Sequence, residues 1–251
     1  MRGIAKTAAA SLAMLLIGLS GAKAQFTPPD FSMMLATNQE LAAGACLAGR
    51  CGSPARPSRD AKAAHTGMIV GRPVSPGAAG AALDYAPDPA VHRQVVADLV
   101  ARVTAKNPDG GRDLQAAFAK YDYGRLYDGI AAPYGLSGND AGKAMAAYLV
   151  LGWLIANGQQ EVPGGRATTL AVRAQVAGSL AENGIGARGQ RAELGEELKL
   201  QFVIAHAGWL SSMRARSGQP YADRIARQFE QIYGIDLRHT MLGTHGFQAR
   251  A

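Results

Sequence analysis

The chain has 251 residues, of which 48% are hydrophobic and 18% are charged, so it can form a packed core and a largely disordered chain is excluded. Aromatic residues make up only 6% whereas glycine occurs 31 times, and this composition favours closely packed helices over a strand-rich fold. The two cysteines exclude a disulfide-dense scaffold and any site built from four cysteines, and the formal net charge is +7.

The first 24 residues follow the three-part pattern of a secretory signal peptide. Basic residues precede an apolar core over residues 8–19, and Ala-Lys-Ala at 22–24 is a small-x-small cleavage signal. The apolar core is shorter than the roughly 20 residues that a membrane span needs, although an uncleaved anchor helix is the alternative. We therefore expect cleavage between Ala24 and Gln25 and export to the periplasm or the medium. Cleavage would lower the net charge of +7 by three.

Residues 25–84 contain seven glycines and six prolines, and we expect most of this segment to be a flexible linker. The exception is a possible short helix over residues 30–44. Cys46 and Cys51 follow it, and in an oxidising compartment they are expected to form a small-loop disulfide. A redox-active pair is the alternative, but the spacing is C-x4-C and not C-x-x-C.

Residues 85–251 are predicted to form a single globular all-α bundle of about six to seven helices. Asp88 and Pro89 have the pattern of a helix start, and the thirteen residues 144–156 contain no charge, which is typical of a core helix too short to span a bilayer. The other predicted helices have the apolar stripes Val91, Val95, Leu99 and Val103; Leu114 and Phe118; Leu126 and Ile130; Leu170, Val172, Val176 and Leu180; and Tyr221, Ile225, Phe229 and Ile232.

The predicted sixth helix, over residues 188–216, is the longest, and its wide apolar face predicts a central position in the bundle. Its main stripe is Leu194, Leu198, Phe202, Ala205, Trp209 and Met213. This spacing predicts that Trp209 lies in the core. The alternative is that Trp209 is an exposed anchor for a partner, since tryptophan is enriched at binding hot spots.

Several short motifs occur along the helical region in a characteristic order. They are LDYAPDP at 83–89, APYGL at 132–136, Trp153 in the apolar helix, ELGEEL at 193–198, GIDL at 234–237, TML at 240–242 and GF at 246–247. In this order they resemble a family of secreted, all-helical bacterial proteins of unknown function, over roughly Asp84 to Phe247. The resemblance implies the fold and export, and it implies no catalytic residue.

The histidines give weak signals for chemistry. None of His65, His92, His206, His239 and His245 belongs to an H-E-x-x-H motif. His239 and His245 with Asp236 are a conceivable metal site, but a third ligand of the right spacing is not evident, and we expect no metal. His206 lies within the stripe of the long helix and is expected to be a structural residue and not a catalytic base.

Two other patterns are better explained by structure than by ligand binding. A G-x-G-x-x-G pattern at 184–189 follows a predicted helix instead of a strand, so it predicts a helix connection and no dinucleotide cofactor. Arginines cluster near one helix junction, but acids are interleaved with them, which indicates ion pairs and no nucleic-acid partner. The cluster comprises Arg214, Arg216, Arg224, Arg227 and Arg238, with Asp223, Glu230 and Asp236 between them.

Paired carboxylates are the remaining sign of enzymatic chemistry. Glu193, Glu196 and Glu197 lie in the first turns of the long helix, where they could serve a hydrolytic site or simply favour the positive end of the helix dipole.

Our leading hypothesis is a non-enzymatic exported module, without cofactor, that binds a protein, peptide or envelope component. The alternative is an envelope hydrolase that uses these acids. A cleft that joins the three glutamates to other polar side chains would favour the hydrolase hypothesis. An apolar groove would favour the hypothesis of a binding module.

Overall fold

The structure, a computed structural model, describes residues 82–182 and 188–250. Several sequence-based predictions lie outside these residues, namely the signal peptide 1–24 with its cleavage site, the short helix 30–44, the Cys46–Cys51 disulfide, His65 and most of the glycine pattern at 184–189. Within the described residues, no helix is both long and apolar enough to cross a membrane.

The described part of the chain forms seven α-helices, one short 3-10 helix and one β-hairpin. The elements are α1 (Pro89–Lys106), α2 (Pro108–Lys120), α3 (Tyr123–Ala131), the 3-10 helix (Ala132–Tyr134), α4 (Ala141–Ala156), α5 (Gly165–Glu182), α6 (Arg188–Arg214), α7 (Gly218–Tyr233), β1 (Thr240–Gly243) and β2 (Gly246–Ala249). The predicted all-α bundle of six to seven helices is therefore confirmed, and the hairpin is an addition that the sequence analysis did not predict.

Four helices begin at a residue whose side chain caps the first turn. Asp88, Asn107, Asp122 and Asp140 each have extended backbone angles and accept a backbone N–H of the following helix. Such a cap satisfies one of the N–H groups that a helix start leaves without an intrahelical partner. The predicted start of α1 at Asp88 and Pro89 is confirmed.

Helix α4 is the core of the bundle, because nearly every one of its residues is buried and it packs against α5, α6 and α7. Gly152 lets α7 approach closely, since a Cβ atom at this position would lie 2.5 Å from Cζ of the Phe229 ring. Helix α6 packs against α1, α3, α4 and α7, which confirms its predicted central position.

The buried faces differ most from the predicted stripes in α3, α5 and α6. In α3 the fully buried residues are Tyr123 and Tyr127, whereas the predicted Leu126 and Ile130 are only partly buried.

Leu170 in α5 and Met213 in α6 were also expected in the core, and the exposed fractions of their side chains are 41% and 40%. Met213 follows the four-residue spacing from Trp209 but lies near the end of α6. Leu170 lies only two residues before Val172, and Thr169 occupies the corresponding buried position of α5 instead.

The bundle begins slightly before the expected boundary at residue 85. Leu83 is buried, and its carbonyl accepts the backbone N–H of Ala141 at 3.0 Å. The N–H of Tyr85 donates to the carbonyl of Asn139, also at 3.0 Å. These two bonds hold residues 83–85 beside the start of α4 and so fix the position of the Tyr85 side chain.

The hairpin closes the other end of the described chain against α4 and α5. Strands β1 and β2 are antiparallel, with Leu242 opposite Phe247 and both side chains buried. The side-chain amide of Gln175 accepts the N–H of Phe247 at 2.8 Å and donates to its carbonyl at 3.1 Å. The indole N–H of Trp153 donates to the carbonyl of Thr240 at 3.1 Å. Side chains of α4 and α5 thus form hydrogen bonds with backbone groups of the hairpin, as a third strand would.

Candidate functional site

One face of α6 carries both of the features that could support a function. Glu196, Lys199, Phe202, His206 and Trp209 are spaced by three or four residues, so they lie on one side of the helix. Helix α3 runs along this face in the same direction. The N-terminal half of the face is polar and buried, and the C-terminal half lines a mainly apolar pocket.

The polar half is a buried hydrogen-bond network centred on Glu196, which we call the Glu196 network. Oε1 of Glu196 accepts the hydroxyl of Tyr85 at 2.8 Å and Nζ of Lys199 at 2.9 Å. Oε2 accepts the hydroxyl of Tyr123 at 2.7 Å and lies 3.2 Å from Nδ1 of His92. A carboxylate offers about four acceptor positions, so those of Glu196 are filled.

Lys199 supplies the positive charge of the Glu196 network. Its side chain is only 4% exposed, and Nζ also donates to Oδ1 of Asn139. The ammonium lies 5.2 Å from the ring centroid of Tyr85 and 5.7 Å from that of Tyr127, at distances where aromatic rings attract a cation. The buried charge of Lys199 is therefore compensated by a carboxylate, an amide and two rings.

The network holds Glu196 in its charged form. Burial by itself would raise the pKa of Glu196, but the hydrogen bonds from Lys199, Tyr123 and Tyr85 prevail, and the pKa lies below its usual value. Burial and the neighbouring carboxylate raise the pKa of Tyr85 and of Tyr123, so both phenols remain hydrogen-bond donors. A general acid needs a raised pKa and a proton to give, and Glu196 has neither.

The other two candidate acids lie apart from this network. Glu193 is exposed to solvent. Burial raises the pKa of Glu197, and the charge of Glu193 adds to this effect, whereas Arg102 on α1 opposes it. Because adjacent residues on an α-helix point about 100° apart, Glu197 lies on a different face of α6 from Glu196. The structure does not bring the three predicted acids together in one cleft.

The apolar half of the α6 face lines a pocket of about 150 Å³, which we call the α6 pocket. Helix α4 supplies Val150, Leu151 and Leu154, and α6 supplies Phe202, His206 and Trp209. Residues of α3, of the 3-10 helix, of α5 and of the segments on either side of α4 complete the wall. None of the described side chains that line the pocket carries a fixed charge.

His206 brings a polar ring to the α6 pocket. Its ring lies parallel to that of Phe202 and edge-on to that of Trp209, with both pairs of ring centroids 6.2 Å apart. Burial lowers the pKa of His206 to about 4, so the imidazole is neutral at pH 7. Among the described residues, neither of its ring nitrogens has a hydrogen-bond partner.

Trp209 was predicted to lie in the core, but its side chain is only partly buried. It packs against the core with one side and lines the α6 pocket. The reason is that this side of α6 borders the α6 pocket and not a closely packed helix. Trp209 is therefore intermediate between the two interpretations, core residue and exposed anchor.

The remaining sequence candidates form ordinary structural contacts. Nδ1 of His239 lies 2.6 Å from Oδ2 of Asp236, and His245 is exposed on the hairpin turn. The described residues include no group of three or more histidine, cysteine or acidic side chains that could hold a metal ion. The predicted ion pairing of the arginine cluster is confirmed at Arg238, whose guanidinium lies 2.5 Å from Oδ1 of Asp223.

Sequence reasoning missed most of the Glu196 network. Glu196 was a candidate as an acid, but its partners Tyr85, His92, Tyr123 and Lys199 were not associated with it. The available signal was the spacing of charged and aromatic residues along α6, which places Lys199 on the side of Glu196. The other three partners come from sequence positions 73 to 111 residues away, and no local pattern reveals them.

Comparison of the chain with models of protein families gives no match, and comparison with curated proteins and with solved structures gives no significant similarity either. The resemblance to a family of secreted helical proteins therefore stays a prediction, and the functional argument rests on the geometry of the site.

Proposed function

We propose that this protein is an exported, non-enzymatic binding module and that the α6 pocket is its binding site. The occupant is one uncharged apolar group about the size of an aromatic ring, presented by a protein, a peptide or an envelope component. The observation that carries the proposal is the pocket itself, which is concave, mainly apolar and lined mostly by side chains of packed helices. Such pockets are the usual place of ligand binding in proteins.

The volume of the α6 pocket limits what it can bind. Cavities for drug-sized ligands usually measure about 300–1,000 Å³, whereas an apolar cavity of about 150 Å³ is large enough for benzene. A whole peptide segment does not fit into 150 Å³. A macromolecular partner would therefore insert a single side chain or a single ring, with the partly buried Trp209 as the aromatic contact at the rim.

Export is supported by the predicted signal peptide over residues 1–24, and the absence of catalysis is supported by the state of the acids. Glu196 has no free acceptor position, and neither it nor Glu193 or Glu197 lines the α6 pocket. The alternative hydrolase would rest on Glu197, because a carboxyl group whose pKa is raised by burial can act as a general acid.

The proposal is tested by titrating the protein with benzene while recording the two tryptophan indole N–H signals by NMR. The signal of Trp209 should shift, whereas the signal of Trp153, which is buried and bonded to Thr240, should stay in place. Ala147→Leu adds three carbon atoms to the wall of the pocket and should abolish the shift. The same substitution at the exposed Ala101 is the matched control and should leave binding intact.

Two results would contradict the proposal. One is that benzene fails to shift the Trp209 signal at any soluble concentration, or shifts it equally in the Ala147→Leu variant. The other is turnover in a broad screen of hydrolase substrates that is lost in Glu197→Gln, which would favour the alternative. Folding of each variant is checked by circular dichroism, so that loss of binding is not confused with loss of the fold.

A further inference from the structure

We propose that the natural occupant of the α6 pocket is an uncharged aromatic ring that carries one hydroxyl group, a phenol, and that His206 forms the hydrogen bond that selects it. This inference rests on the proposed function, because it assigns the chemical class of the ligand to the same pocket.

His206 lines the α6 pocket with a ring whose nitrogens are not used by the rest of the described residues. A neutral imidazole has one donor and one acceptor nitrogen, so both are available to a ligand. The hydroxyl of Thr169, which also lines the pocket, has one proton, and the backbone carbonyls of Tyr134 and Arg166, at 2.7 Å and 2.9 Å, already accept it. Gln160 lies at the exposed rim. The lining residues Tyr134 and Trp209 also carry polar groups, a hydroxyl and an indole N–H. The His206 ring lies against both Phe202 and Trp209, so a ligand ring seated on these two side chains meets the imidazole.

The described lining of the α6 pocket carries no fixed charge. A carboxylate or ammonium group entering the pocket would lose its hydration without gaining a counter-ion, at a cost of several kcal/mol. Because burial lowers the pKa of His206 to about 4, the imidazole does not supply a positive charge at pH 7 either. The ligand is therefore expected to be neutral, and a hydroxyl group can donate to or accept from the ring.

The walls of the α6 pocket include several aromatic side chains. The rings of Tyr134, Phe202 and Trp209 all border a space of about 150 Å³. Aromatic rings prefer stacked or edge-to-face contacts with one another, so these walls favour a flat ring over an aliphatic chain of the same volume. A single ring with a single hydroxyl group matches the volume of the pocket and can form a hydrogen bond with His206.

The experiment compares benzene with phenol in the full chain and in two variants, again through the indole N–H signal of Trp209. His206→Leu removes the polar ring and keeps the pocket apolar, and His206→Gln restores a donor and an acceptor of similar reach. In His206→Leu the affinity for phenol should fall at least fivefold, which is the effect of leaving a buried hydroxyl unsatisfied. The affinity for benzene should change less than twofold. In His206→Gln much of the affinity for phenol should return.

A second pair of probes distinguishes the source of the phenol. Comparable binding of p-cresol and N-acetyltyrosinamide would support a tyrosine side chain of a polypeptide, and binding of p-cresol alone would support a free small phenol.

The inference is overturned if phenol and benzene lose affinity equally in His206→Leu, or if phenol loses none. In both cases benzene still binds the wild-type pocket, so the proposed function survives. If neither ligand shifts the Trp209 signal in the wild-type protein, both proposals fail together.

Discussion

The Glu196 network makes a sharp prediction about the substitution Lys199→Met. Methionine keeps much of the length of the lysine stem but leaves the carboxylate of Glu196 buried without its counter-ion. The two side chains are 4% and 8% exposed, so water compensates little of this loss. Removing one partner of a buried ion pair costs about 3–5 kcal/mol. We expect a value near the lower end, because the hydroxyls of Tyr85 and Tyr123 still donate to the carboxylate.

The assay is equilibrium unfolding in urea at pH 7. With a slope of about 2 kcal/mol per molar urea, a loss of about 3 kcal/mol would lower the midpoint by about 1.5 M. The matched control is Arg112→Met, because Arg112 and Asp109 have the same i, i+3 spacing but are 72% and 83% exposed. An exposed pair of this kind contributes little, so the control should lose less than about 0.5 kcal/mol.

A double-mutant cycle with Glu196→Gln separates the ion pair from the shape of the residues. The double variant has no buried charge, so its loss of stability should be smaller than the sum of the two single losses by about 2 kcal/mol. The penalty of Lys199→Met should also shrink in acid, because Glu196 can then be protonated. The reasoning would be refuted by a cost of Lys199→Met below about 1 kcal/mol, or by single losses that simply add.

Three further outcomes follow from particular contacts. Gly152→Ala forces a methyl group against the ring of Phe229 and should cost about 1–3 kcal/mol in urea unfolding, whereas Gly129→Ala, with no heavy atom within 4 Å of its Cβ, should be neutral or stabilising. Gln175→Ala leaves an N–H and a carbonyl of β2 unsatisfied, and hydrogen exchange of the hairpin amides should become faster than that of α4. Burial lowers the pKa of His206 to about 4 from 6.5, so between these pH values the unfolded chain binds a proton that the folded chain does not. The free energy of unfolding should therefore fall by at most about 3 kcal/mol from pH 6.5 to pH 4. His206→Leu should remove this contribution to the pH dependence.

The helices could be predicted from the sequence because their signals are local. Val95, Leu99 and Val103 recur every four residues, and all three are buried in α1. The charge-free run that forms α4 is buried on all sides, as its composition predicts. In both helices the residues that decide the structure lie within one or two turns of each other, so periodicity and capping are sufficient.

The buried face of α3 could not be predicted in the same way. Periodicity favoured Leu126 and Ile130 for the core, but a tyrosine face is buried instead. Tyr123 and Tyr127 are buried because their hydroxyls find partners, in Oε2 of Glu196 at 2.7 Å and in the carbonyl of Leu136 at 2.6 Å. A buried tyrosine is favourable only when such a partner exists, and the partner of Tyr123 is 73 residues away in sequence.

The hairpin was missed for a different reason. Each strand has four residues, which is too short for an alternating pattern to become visible, and β2 buries two neighbouring residues at its start. Its stability comes from outside the hairpin, through the amide of Gln175 and the indole of Trp153. Two isolated strands are marginal in water, so this element depends on a helical surface that must already be assembled.

The side chain of Tyr127 contacts both halves of the α6 face, the Glu196 network and the α6 pocket. The ring of Tyr127 lies 5.7 Å from Nζ of Lys199 on one side and packs edge-on against Phe202, a pocket residue, on the other, with ring centroids 5.3 Å apart. The Glu196 network thus fixes α3 against α6 at one end of the pair, and the same two helices form walls of the pocket at the other. A pocket with fixed walls binds a small ring without the entropic cost of ordering them. Since the proposed ligand would gain little contact area, such preorganisation would lower the cost of binding it.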